Sequence, residues 1–258
     1  TLLRLMLDAH PSIAWLNEFE YAVDLATSAD SWPDIELYWE WLSVHRVFIS
    51  TAFKIDESLD YPNLIESFLL QKKMGKPIIG ATCHRHYDRL LRLFPKAKFI
   101  YLYRDPRDVA RSNIGMGWAG NAWAGVDRWI EAERLWETVK SNSLDESSYI
   151  EVKYENLIKH PEQTLTAICQ FFHVGYNAKM LSYPEYTTYS YPDARLIEQW
   201  KNKATNEEIA LVECKARIFM GYRDYQVESA ASYYPSLSFR LYLFLQNKFY
   251  RLRYRIKQ

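Results

Sequence analysis

Arg104 and Ser112 lie in one stretch, Lys98–Ser112, KFIYLYRDPRDVARS, and their types and spacing suit capture of a phosphate. A guanidinium offers a planar fork of N–H donors, and a hydroxyl adds a further donor. Phe99, Ile100, Tyr101, Leu102 and Tyr103 form a short apolar run, the pattern of a parallel strand covered on both faces. Asp105 suits a helix cap, Pro106 the first helical position, and Asp108 lies three residues after the cap. Arg104 is therefore expected at the carboxyl end of a strand, where open α/β sheets bind ligands, with Ser112 two turns into the helix that follows.

The elements that must position these residues are legible in outline. Leu2, Leu3, Leu5, Met6 and Leu7 predict a buried first helix that ends at His10-Pro11. The segment SIAWLNEFEYAVDL reads as a loop and a short helix. Helices are expected over Pro62–Gly75, His86–Leu93, Arg107 to about Gly115, and Pro161–Phe172. Trp129, Ala132, Trp136 and Val139 form a helical stripe of core type. Strands are expected over Pro77–Thr82, Lys98–Arg104 and Ser148–Tyr154. Between them Gly117, Trp118, Gly120, Trp123 and Gly125 mark a mobile loop suited to lining a substrate cleft. The expected architecture is α/β: a P-loop-like three-layer domain with a central parallel sheet and helices on both faces. Its body is residues 1–238, followed by a basic amphipathic helix over 239–258.

Composition sets the outer bounds. The chain has 258 residues, enough for one substantial core, and its 32 basic and 32 acidic residues cancel. That balance does not favour nucleic acid or any general polyanion. Three cysteines, Cys83, Cys169 and Cys214, are odd in number and far apart, which suits free thiols in a reducing, cytoplasmic compartment and no metal site. No apolar run reaches membrane-spanning length. The charge is unevenly placed: Phe239–Gln258 holds six basic residues, Arg240, Lys248, Arg251, Arg253, Arg255 and Lys257, and no acidic one. Arg240, Lys248, Arg251 and Arg255 share one helical face, and Leu241, Leu245, Leu252 and Ile256 mark another. Such a helix suits either peripheral contact with an anionic membrane or packing on the acidic body.

Arg104-Asp105-Pro106-Arg107-Asp108-Val109 with Ser112 resembles, without a gap, the 3′-phosphate-binding segment of sulfotransferases that use 3′-phosphoadenylyl sulfate (PAPS). The resemblance runs from Thr1 to about Tyr222 and is nearest to tyrosylprotein-type and related bacterial members. It implies transfer of a sulfuryl group from PAPS to a hydroxyl or amine of a carbohydrate, lipid, peptide or small molecule. Arg104 and Ser112 would then bind the 3′-phosphate in one cleft with the N-terminus of the first helix. Thr1 would be the last residue of a 5′-phosphosulfate loop whose remainder precedes this sequence. Tyr154, in the second signature Tyr-Glu-Asn-Leu, matches a tyrosine near the adenine. Arg195 is the one basic residue before Trp200-Lys201 that matches a further 3′-phosphate contact, although the glycine-rich form of that loop is absent.

For the general base the resemblance offers two residues. Leu-Asp-Ala-His-Pro is followed in the tyrosylprotein type by a catalytic glutamate at the distance of Glu18; here Leu16 replaces the preceding glycine and Asn17 the first acid. In cytosolic-type members a histidine follows the strand before the arginine signature, near His84, but the lysine of that motif is Thr82. An imidazole accepts protons near neutral pH. A P-loop kinase relative and a non-catalytic nucleotide-binding relative remain as alternatives. The first would carry an acidic Mg²⁺ site, which the sequence does not clearly show.

Overall fold

A computed structural model describes residues 1–27, 31–230 and 232–256, and for 255 and 256 the backbone alone. In chain order the elements are α1 (Leu2–Asp8), β1 (Ile13–Glu18), α2 (Ile35–Val44), α3 (Arg46–Thr51), α4 (Tyr61–Lys73), β2 (Ile78–Thr82), α5 (Tyr87–Leu93), β3 (Phe99–Tyr103) and α6 (Pro106–Gly115). Then come α7 (Ala122–Gly125), α8 (Asp127–Ser143), β4 (Tyr149–Lys153), α9 (Tyr154–Lys159), α10 (Pro161–Phe171), α11 (Trp200–Lys203), α12 (Asn206–Tyr222) and α13 (Leu237–Ile256).

This corrects the expected architecture. The structure is 58% helical, and its described strands form two separate two-stranded parallel sheets, β1 with β2 and β3 with β4. Among the described residues there is no large central sheet with helices on both faces. The three expected strands exist, but β2 does not pair with β3. An apolar run shows that a segment is extended and buried; it does not show its neighbour. A second correction concerns Ile13–Glu18, read as loop, which is strand β1. Ile13, Ala14 and Leu16 are all buried, so β1 lacks the alternation that marks a half-exposed strand.

The chain divides into two compact units. The first comprises Thr1–Tyr101, Thr138–Ile150 and His160–Tyr191. Its core gathers Leu16, Phe19, Tyr21, Tyr38, Phe48, Leu64 and Phe68, with α4 packed on the β1–β2 pair. Lys76 closes the turn from α1 into β1 by donating to the carbonyls of Asp8 (2.9 Å), His10 (3.0 Å) and Ile13 (2.7 Å). Cations favour the carboxyl end of a helix, where carbonyls lack partners. In register, Trp15 faces Gly80, and a Cβ at Gly80 would collide with the indole. The pairing slips between Leu16 and Glu18, a bulge that brings Glu18 opposite Thr82.

The second unit comprises Leu102–Glu137, Glu151–Lys159 and Pro192–Gln258. Ala110, Val126, Trp129, Val212, Ala216 and Met220 form its apolar centre, where α6, α7 and α12 meet. Beside it lies a buried ion cluster: Arg223 donates to Glu133 (2.7 Å), Glu137 (2.9 Å) and Glu151 (2.8 Å). The segment expected as a mobile substrate loop includes the short helix α7 and is held by α13: Gly120 N–H donates to Asn247 Oδ1 at 2.8 Å, and the Tyr254 ring lies against Gly117, whose φ is +75°. Among the described residues no helix is long and apolar enough to cross a membrane.

Candidate functional site

In the second unit, the RDPRD segment assigns each charge a separate task. Asp105 caps α6 by accepting from Arg107 N–H at 2.9 Å, and its own N–H donates to Glu155 at 3.0 Å. Arg107 is not a surface cation. It grips Asp105 through Nε (2.9 Å) and Nη2 (2.7 Å), donates to Glu213 at 2.7 Å, and lies 3.5 Å from the centre of the Trp200 ring. Asp108 accepts from Trp200 N–H (2.9 Å) and from Arg104 Nη2 (3.2 Å). Three of the four charges are thus structural, and Trp200 is a packing anchor.

Arg104 is the charge left over. It follows β3 as Tyr154 follows β4, and because these strands pair in parallel the two residues fall side by side, the guanidinium 4.6 Å from the centre of the Tyr154 ring. Burial pushes the Tyr154 phenol up and the arginine partly offsets it. Nη2 also donates to the Leu196 carbonyl at 2.7 Å, and the Arg104 carbonyl accepts from Trp129 Nε1 at 2.9 Å. The buried Nε–H has no partner among the described residues. Arg104, Asp108 and Ser112 follow one another at intervals of four, so the ion pair aligns Arg104 with the ridge that carries the exposed Ser112 hydroxyl. A positioned guanidinium with an unspent, desolvated donor fits a phosphate. Arg195 does not join this group: its side chain is 91% exposed and closes on Asp193. The neighbouring Leu196 approaches Arg104 through its backbone.

Thr1, Glu18 and His84 all lie in the first unit. Glu18 is exposed at the end of β1, and α1, which Thr1 precedes, packs against that strand. His84 follows β2 by two residues. The sequence reading missed Glu20, whose buried Oε1 accepts from His84 N–H at 2.8 Å and lies 2.5 Å from His84 Nδ1. Burial pushes the Glu20 carboxyl up, but the hydrogen bonds and charge of His84 outweigh it and hold the group below its ordinary value. The turn carrying Glu20 is fixed by two phenols: Tyr38 donates to Tyr21 O and Tyr61 to Ala22 O, each at 2.8 Å. Next to His84, Arg85 makes a two-pronged pair with Asp24 at 2.9 and 2.7 Å. Burial pushes the Cys83 thiol up to about 12, which leaves it unreactive as a nucleophile. One signal for Glu20 was available: a lone carboxylate inside the apolar run Phe19–Val23 must have a partner.

The sequence model of the sulfotransferase family matches residues 1–178. Protein-tyrosine sulfotransferase 1 of Danio rerio is 26% identical over 200 residues, covering 72% of this chain and 53% of its own length. Protein-tyrosine sulfotransferase A of Caenorhabditis elegans is 26% identical over 201 residues, covering 72% and 50%. The chain spans about half the length of these curated relatives. Among solved structures, the sulfotransferase domain from the curacin biosynthetic pathway is similar in fold, with a TM-score of 0.62 at 17% identity over 88% of this chain and 93% of that one. Arg104 and its supports thus stand in a chain most of whose length follows one family's pattern, and the chain belongs to the sulfotransferase family.

Proposed function

We propose that this protein transfers a sulfuryl group from PAPS to a hydroxyl or amine acceptor. The observation that carries the reading is Arg104, held by Asp108, Leu196 O and Tyr154 with a buried Nε–H unspent. That donor set fits the 3′-phosphate of the nucleotide, with Ser112 further along the same ridge. PAPS, when bound, supplies the activated sulfuryl group. What remains for the protein is to hold the nucleotide phosphates and to take a proton from the acceptor.

Two groups suit the proton's removal. Glu18 is an exposed carboxylate at the end of β1, at the spacing of the tyrosylprotein-type base. The His84 imidazole is 60% exposed while Glu20 holds its Nδ1 side. Thr1 belongs, in this reading, to the donor's 5′ end. The names of the relatives make a peptide tyrosine phenol the first acceptor to try; carbohydrate, lipid and small-molecule hydroxyls follow. The test is transfer of label from PAPS carrying radioactive sulfur, with 3′-phosphoadenosine 5′-phosphate (PAP) binding measured by calorimetry. The full-length protein, with the residues that precede Thr1, should bind PAP and pass label to an acceptor, whereas residues 1–258 alone should bind PAP poorly and transfer nothing. A folded full-length protein that binds no PAP sinks the proposal.

A further inference from the structure

Helix α13 has two unlike faces. One packs within the second unit: Leu243 is buried, Asn247 accepts from Gly120 N–H, Tyr250 donates to Ile114 O at 3.2 Å, and Tyr254 lies against Gly117. At about 100° per residue these side chains share one side of the helix. The opposite side carries Leu241, Phe244, Leu245, Phe249 and Leu252, each more than half exposed. A contiguous face of large apolar side chains in water marks an interaction surface.

Its charge states what kind of surface it meets. Arg240 and Arg251 flank the apolar face on one side and Arg253 on the other, by the same spacing. Lys248 rises from within it, its ammonium 4.8 Å from the centre of the Phe244 ring. The tail from Phe239 onward has six basic residues and no acidic one in a chain of zero net charge. The apolar face, not the basic one alone, points away from the packed side. Lysine and arginine stems can lie along an apolar layer while their charges reach outward to headgroups. A helix of this make-up lies in the plane of a bilayer interface with its apolar side in the acyl boundary.

We propose that α13 docks the protein on an anionic lipid surface, with Phe244, Leu245, Phe249 and Leu252 entering the bilayer boundary and Lys248, Arg251 and Arg253 meeting the headgroups, whereas Arg240 is held by Tyr234. This assignment is independent of any transfer activity. The test is sedimentation of the whole chain with phosphatidylserine–phosphatidylcholine vesicles and with phosphatidylcholine vesicles alone. Each basic residue near an anionic surface is worth about fivefold in binding. The combined change Lys248→Glu, Arg251→Glu and Arg253→Glu should therefore weaken anionic-vesicle binding by about a hundredfold or more. Leu245→Ser with Phe249→Ser and Leu252→Ser should weaken it too, and should remove the part that survives high salt. Lys96→Glu with Lys179→Glu, remote in sequence, should leave it within about twofold. Circular dichroism of each variant checks that the helices persist. Equal binding to both vesicle types, or none to either, overturns the proposal. So does self-association of the chain that the serine variant abolishes while vesicles bind nothing, because the face then belongs to a second copy.

Discussion

The buried Glu20 carboxylate holds the exposed His84 imidazole by its Nδ1 side, at 2.5 Å, and the same oxygen accepts from the His84 backbone N–H at 2.8 Å. One oxygen thus fixes both the ring and the loop that carries it. Nε2 has no partner among the described residues. Tyr38 and Tyr61 hold the turn beneath Glu20, so the orientation of the imidazole is set by the core of the first unit.

This pair makes stability pH-dependent with a defined sign. The folded Glu20 carboxyl lies below its unfolded value. Its contribution is full above the unfolded carboxylate pKa of about 4.3 and is lost as pH falls through the lower folded value. Glu20→Gln keeps an acceptor but removes the charge, so it should cost about 1–3 kcal/mol at pH 7. Urea midpoints measured from pH 7 to pH 3 should show the gap between wild type and Glu20→Gln closing through that acid window. A gap that is constant with pH would remove the ionised pair from the account.

The proton acceptor can be identified by kcat. If Glu18 is the base, Glu18→Gln should lower kcat by about a hundredfold or more with PAP affinity nearly unchanged. If His84 is, His84→Ala does so instead, and Glu20→Gln then acts as loss of a positioning residue. Its signature would be a displaced alkaline or acid limb in the pH–kcat profile, not a simple scaling of the whole curve. Benign effects of both Glu18→Gln and His84→Ala would exclude both bases.

Arg104 and Arg107 should separate binding from folding. Arg104→Ala removes a charge-assisted phosphate contact worth roughly 1.5–3 kcal/mol, so PAP affinity should drop about tenfold to a hundredfold. It also takes the cation from buried Asp108, which keeps its bond from Trp200 N–H, so its cost in stability should be real but smaller than that of Arg107→Ala. Arg107→Ala leaves Asp105 and Glu213 buried without their cation and should destabilise by about 3–5 kcal/mol. Calorimetry with PAP and thermal unfolding, run on both variants, check the contrast. Unchanged PAP affinity in folded Arg104→Ala would take that residue out of the site.

Legibility from sequence followed how local each signal was. The turn at Asp105-Pro106 and the helix after it were readable because cap, proline and apolar run lie within a few residues. The role of Arg107 was not, because its partner Glu213 is on α12 and its stacking partner Trp200 precedes that helix. Strand β1 escaped because burial on both faces leaves Ile13, Ala14 and Leu16 without alternation. Strand pairing escaped for a related reason, since Phe99–Tyr103 announces a buried strand but not that β4 is its neighbour. Glu20 was hidden by its rival: Glu18 stands at the spacing of the base in the family it resembles, while the buried carboxylate two residues on needed the position of His84 to acquire a meaning. The opposed faces of α13 became clear only once Leu243 and Tyr250 were seen to pack. The side chains of Arg255, Ile256, Lys257 and Gln258, part of the expected tail, lie outside the described residues.

Gly80 offers a test of how β1 and β2 position the proposed bases. Trp15 crosses Gly80 so closely that a methyl there meets the indole, and Trp15 is fixed by its N–H to Asp8 (2.7 Å) and its Nε1–H to Thr82 Oγ1 (3.2 Å). Thr82 ends β2 two residues before His84 and stands opposite Glu18 in the register. Gly80→Ala should therefore cost about 1–3 kcal/mol by overpacking. It should also lower kcat through displacement of the two strand ends. Trp15→Leu makes room, so Gly80→Ala in that background should cost less than it does alone, a coupling of about 0.5 kcal/mol or more. A double-mutant cycle on denaturation midpoints measures it. Strict additivity would mean that the strands separate to admit the methyl, and that the Trp15–Gly80 contact does not set their spacing.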